Sequence, residues 1–146
     1  MRDMITRVTP AIVLEPATLA ADNTPVAIDT QGYDGIGLLL AIGVGGITFS
    51  GTNKIEFKLS HGDTTTVGSH VAVTAADILA DSLTPGTITN GIIRALTAAH
   101  AAATVQRIGY VGGKRYLSLL ADFSGTHGTG TPICAMLIRG HAAVTV

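Results

Sequence analysis

The sequence has no tryptophan, a single cysteine and few charges. Each shortage excludes something. One cysteine, Cys134, allows no disulfide within the chain, so the 146 residues must hold together by an apolar core. Cys134 stands in the apolar run Ile133-Cys134-Ala135-Met136-Leu137-Ile138, without the electropositive setting that activates a thiol. It reads as a small buried hydrophobe, and a lone unpaired cysteine fits an intracellular origin. Aromatic residues make up 4 % of the chain, too few for a carbohydrate site or a base-stacking platform.

Positive charge is also short. Nine Lys and Arg stand against ten Asp and Glu, a net charge of −1, and the densest basic pair is Lys114-Arg115. Phosphate backbones require clustered cations, which argues against nucleic acid as a partner. Asp3 and Arg7 interrupt the position of a signal-peptide core. No apolar run is long enough for a membrane helix. The longest, Ile36 to Ile47, carries four glycines and falls short of the roughly 18–20 residues needed.

Charged residues are 13 % of the chain, about half the roughly 25 % of ordinary soluble domains. Hydrophobic residues are 47 % and the mean hydropathy is +0.45. Two readings fit. Part of the surface is buried against other chains, or abundant Ala and Gly raise the index of an ordinary β domain.

The clearest element is Lys54-Ile55-Glu56-Phe57-Lys58-Leu59-Ser60. Strict alternation puts Ile55, Phe57 and Leu59 on one face and the charges on the other. Further strands are expected at Ala11–Leu14, a short edge strand between Pro10 and Pro16, and at Pro25–Thr30. Gly35–Val44, a continuous apolar run, is expected to be buried on both faces. Val67–Val73, Gly91–Leu96, Thr104–Val111, Lys114–Phe123 and Thr131–Arg139 complete the set, and Ala142–Val146 extends the last past a bend at Gly140. The inward side of Thr104–Val111 is undecided by its pattern. Thr74 and Asp77 form a capping box, and Ala98–Ala103 has helix propensity.

About eight or nine strands, one or two very short helices and no crossover helix predict an all-β, antiparallel sandwich or barrel. The expected organisation is an N-terminal arm over residues 1–9, ordered only when a partner fixes it, and one β-sandwich domain over residues 10–146. Gly112-Gly113 predicts a two-residue hairpin pairing 104–111 with 114–123. Tyr110, Lys114, Arg115 and Tyr116 then gather at its tip as candidate partner contacts, since Tyr and Arg are enriched at interface hot spots. An ordinary solvated hairpin is the competing reading.

Chemistry-bearing patterns are sparse. His61, His70, His100, His127 and His141 show no His-x-His and no helical spacing, so no metal site is expected. His61 with Asp63 offers at most a weak cation contact. The loop Ser124-Gly125-Thr126-His127-Gly128-Thr129-Gly130-Thr131, with Asp122 before it, contains a nominal Ser-His-Asp set and a Gly-rich anion cradle. It lies between strand patterns and reads as a turn held by hydroxyl–backbone bonds. Asp34-Gly35-Ile36-Gly37 lacks the strand–loop–helix context of a nucleotide site. Asp77 and Asp81 read as one solvated face of a short helix. No catalytic residue, cofactor or metal is expected.

Gly109-Tyr110-Val111-Gly112-Gly113-Lys114-Arg115-Tyr116, running into Asp122 through Ile133, resembles small virion proteins of tailed bacteriophages. So does Phe57-Lys58-Leu59-Ser60-His61-Gly62-Asp63, where relatives carry a His-Ser-Asp-Asp-Gly-like turn that is shortened here. The resemblance extends from about Pro10 to His141 and is similar to the jelly-roll cement, or decoration, proteins of phage capsids. Relatives often have His-Pro where this chain has His141-Ala142. The resemblance implies a jelly-roll sandwich, a homo-oligomer (dimer or trimer), binding to the major capsid protein and a place on the virion capsid surface after synthesis in the host cytoplasm. It brings no established functional residues. Two alternatives stand beside it. One is another virion part, such as a neck, tail or fibre-base component. The other is a cupin-like metal or ligand module, for which the chain offers only Glu15 and Glu56 as glutamates.

Overall fold

The computed structural model describes residues 5–142. Ten strands follow in order: β1 (Val8–Leu19), β2 (Ile28–Asp29), β3 (Tyr33–Ile42), β4 (Lys54–Gly62), β5 (Val71–Ala72), β6 (Ile78–Leu79), β7 (Ile92–Leu96), β8 (Thr104–Tyr110), β9 (Tyr116–Ser124) and β10 (Thr131–Ala142). Single 3₁₀ turns occupy Ile5–Arg7, Val67–Ser69 and Ala75–Asp77.

The first sheet runs β1-β10-β3-β8-β6 and the second β2-β9-β4-β5, with β7 also paired to β4. The paired strands are antiparallel. Along the chain, β1, β3, β8 and β10 go to the first sheet and β2, β4, β7 and β9 to the second, with β4 and β7 paired side by side. The protein is therefore an all-β sandwich with jelly-roll strand order.

The core lies between the sheets. From the second sheet, Ile55, Phe57, Leu59, Ile93, Leu117 and Leu119 point inward; from the first, Leu38, Leu40, Ile42, Ile108 and Leu137. The alternation at 54–60 thus holds in space. Gln106 is a large polar side chain buried in this core, at 1 % exposure. Its Nε2 donates to the Ile93 carbonyl at 2.8 Å and to Thr84 Oγ1 at 2.9 Å.

Several sequence expectations are corrected. The strand placed at Ala11–Leu14 runs from Val8 to Leu19, because its register shifts beside Val13 and again between Leu14 and Ala17. Pro16 sits inside the second shift, where the ladder needs no N–H. Residues 5–9, expected within the N-terminal arm over residues 1–9, form a 3₁₀ turn and the start of β1; residues 1–4 and 143–146 lie outside the described set. β10 passes straight through Gly140. Val67–Val73 divides into a turn and a two-residue strand, and Ala98–Ala103 is not helical. Asp77 and Asp81 share no helical face, since β6 separates them. Asp77 closes the capping box, with Oδ2 accepting from the Thr74 N–H at 2.8 Å and from the Thr74 hydroxyl at 2.7 Å.

The Gly112-Gly113 hairpin is also corrected. β8 belongs to the first sheet and β9 to the second, so they do not pair. A type I′ turn needs φ > 0 at both central residues, and neither glycine is among those with positive φ. The Asp77 carbonyl instead captures Val111 N–H at 2.8 Å and Gly112 N–H at 3.1 Å. That draws the chain off the first sheet. A Cβ on Gly112 would meet the Tyr110 ring at 2.6 Å, so glycine lets the crossover hug the ring.

Candidate interaction surfaces

The crossover gathers Tyr110, Lys114, Arg115 and Tyr116, but not as an exposed tip. Tyr110 and Tyr116 are buried; Lys114 and Arg115 face solvent. The Tyr110 hydroxyl lies 2.9 Å from His61 Nδ1 and accepts the Lys114 N–H at 3.0 Å. Burial pushes the Tyr110 hydroxyl's pKa up, partly offset by its bond at Lys114. Lys114 Nζ pairs with Asp63 at 2.5 Å, raising the lysine and lowering the carboxylate. Arg115 grips Asp29 through two donors, at 2.9 and 2.7 Å. That grip, with the Gln31 N–H, holds the Asp29 carboxyl at about 2. The two cations are thus spent on fastening the crossover to the second sheet and to the loop after β4.

The Ser124–Thr131 loop folds as a closed turn. His127 is buried, with Nε2 2.8 Å from the Ser124 carbonyl oxygen rather than its hydroxyl, and its ring lies edge-on to Phe123. Asp122 pairs with Lys58. The nominal triad therefore does not converge, and the loop is a structural turn. Sequence reasoning missed a different Ser–His contact: Ser118 Oγ lies 2.8 Å from His70 Nδ1, while His70 Nε2 lies 2.9 Å from the Thr64 carbonyl. The residues are far apart in sequence and share no motif, so no signal could have found them. Ser118 is 2 % exposed, which closes it to a substrate. Here the histidine anchors the 63–70 loop over the second sheet. Among the described residues no three His, Cys, Asp or Glu side chains converge as a metal would require. No helix among them is long and apolar enough to cross a membrane.

The strongest feature is a contrast between the outward faces of the sheets. On the second sheet, Lys54, Glu56 and Lys58 of β4 and Asp122 of β9 form a chain of ion pairs. Asp122 holds Lys58 above its ordinary pKa. This is a solvated face.

The first sheet has no such chain. Its register sets Ile12, Met136, Leu39 and Arg107 in one outward row across β1, β10, β3 and β8. Pro10, Ile138, Gly37 and Gly109 make the next row on one side, Cys134, Ala41 and Val105 the next on the other. Leu79 of β6 flanks Gly109. Ile12, Val105 and Leu79 are 57 %, 60 % and 64 % exposed. Arg107 is the one charged side chain at these outward positions of β3, β8 and β10 over the paired span. The run 35–44 is therefore buried on one face only; its other face is an open apolar surface.

The edges of this sheet are guarded. β1 carries two prolines and two register shifts. Beyond β6, the β8 edge is met by Asp81, whose Oδ2 accepts the Arg107 N–H at 2.9 Å. Burial pulls the Asp81 carboxyl up, but N–H donors from Arg107 and Leu83 and the Thr84 hydroxyl outweigh it and hold it low. Prolines, bulges and carboxylates at an edge oppose strand addition, leaving the face as the place to dock.

No family model, curated protein or solved structure matches this chain.

Proposed function

We propose that the chain is a structural subunit of a multi-copy protein shell, a cement protein that binds a phage major capsid protein through protein–protein contacts. One observation carries this reading: a jelly-roll sandwich presents one charged outer face and one open apolar face of β1, β10, β3 and β8. Contiguous apolar patches of several hundred Å² mark interaction sites on soluble proteins. Arg107 is the one charged side chain at the outward positions of β3, β8 and β10, which favours burial against other chains over a mere excess of small residues. The sequence resemblance adds the capsid as the partner. A cement subunit gains strength from many identical weak contacts, so no single site needs high affinity.

Co-sedimentation of the full chain with empty shells of its cognate major capsid protein tests the proposal. The expected result is saturable binding at a fixed ratio per capsid subunit. Failure to sediment with shells at any protein concentration overturns it.

A further inference from the structure

We propose that the outward face of the first sheet is a two-fold interface between two copies of this chain, each covering the other's apolar surface. This deepens the structural-subunit reading by naming a second copy as the occupant of that face, so that the dimer, and not the bare face, is the unit that meets the capsid protein.

The relief of the face is self-complementary. The row Ile12-Met136-Leu39 is a ridge of large side chains. Beside it runs a shallow groove of about 670 Å³, lined by Ala17, Ala41, Gly43, Val105, Pro132 and Cys134. Ridge and groove lie side by side, and both run across the strands. A two-fold axis lying between them, parallel to the rows, sets each copy's ridge over the other's groove. Two sheets then stack in the aligned manner, about 10 Å apart. A C₂ contact of this kind requires one patch that complements itself.

Size and charge agree. Four strands about 4.8 Å apart and about ten residues long at about 3.3 Å each span roughly 600 Å². Two copies then bury about 1,200 Å², above the roughly 1,000 Å² expected of a specific interface. The lone cation, Arg107, sits at the end of its row beside Asp81, which takes its backbone N–H. The patch is close to neutral with both signs at its rim, so a second copy meets no like-charge field. A strongly charged partner would find nothing here to complement. Edge pairing is opposed by the prolines and shifts of β1, which leaves face-to-face stacking.

Sedimentation velocity of the full chain, from about 1 to about 100 µM, tests this. Wild type is expected to move as a species of twice the 14.9 kDa protomer mass. Met136→Lys buries an unpaired charge in the interface, Val105→Lys sets a second cation against Arg107 of the other copy, and each is expected to weaken association at least ~100-fold. Both side chains are exposed in the protomer, so circular dichroism should stay unchanged. Val111→Asp, at an exposed position outside the face, is expected to leave the dimer intact. A wild type that stays monomeric overturns the proposal. So do face variants that remain dimers, or wild-type monomers that float with phosphatidylcholine vesicles. A dimer that fails to bind shells removes the capsid reading and keeps this one; a monomer that binds shells does the reverse.

Discussion

Tyr110→Phe removes one oxygen from the point where the chain leaves the first sheet for the second. That oxygen lies 2.9 Å from His61 Nδ1, 3.0 Å from the Lys114 nitrogen and 3.3 Å from the Lys114 carbonyl. The shortest of these joins two side chains that are 7 % and 8 % exposed. Phenylalanine keeps the ring volume, so almost no cavity opens. What remains is an unpaired His61 Nδ1 in a buried site, while the Lys114 N–H, beside an exposed side chain, turns to water. One orphaned buried group costs about 1–3 kcal/mol. The expected loss is therefore about 2 kcal/mol, or a Tm lower by about 5–10 °C in a chain of this size. Urea unfolding at fixed protein concentration measures it, with the m-value unchanged. Amide exchange at Lys114 should quicken in the same variant. A loss below about 0.5 kcal/mol would show that the hydroxyl does not clamp the crossover.

Other perturbations reach different parts of the sandwich. Phe57→Ala, at 0 % exposure in β4, is expected to cost about 3–5 kcal/mol by urea unfolding. Gly46→Ala places a Cβ 1.6 Å from the Gly130 carbonyl oxygen, a backbone clash, and should lower Tm sharply in calorimetry. Asp81→Ala strips the acceptor from the Arg107 and Leu83 N–H groups and is expected to cost about 2 kcal/mol, with faster amide exchange at Arg107. Asp29, held at about 2 by Arg115 and the Gln31 N–H, lies below its unfolded value near 4. Its contribution is present above about pH 4 and is lost as pH falls through 2. In Asp29→Asn that part of the acid slope should vanish, and the effect is modest because the pair is open to solvent.

Where one sheet face is wet, the sequence announces it, as at Lys54–Ser60. Where the outer face is apolar, pattern reading loses its contrast. That is why Gly35–Val44 looked buried on both sides. It is also why β8 gave no inward side: Gln106 points into the core while Val105 points out. The pattern fails where the candidate interface lies, because residues placed for a partner break the inside–outside rule. The capping box at Thr74–Asp77 was legible because it is local. The crossover at Gly112-Gly113 was not, since the Asp77 carbonyl that redirects it and the Tyr110 ring that fills its concave side act through tertiary contact. Of the four residues at this crossover, Tyr110 and Tyr116 turn inward and Lys114 and Arg115 face solvent.

Cys134, the single cysteine, lies half-buried among the outward residues of β10 opposite Ala41. Its rate of alkylation by iodoacetamide under native conditions reports directly whether another protein chain covers the first sheet. The assembled wild-type protein is expected to react at least ~10-fold more slowly than the dispersed Met136→Lys variant, because a closed interface must open before the reagent enters. Equal rates in the two proteins would contradict the claim that this face works as a protein interface.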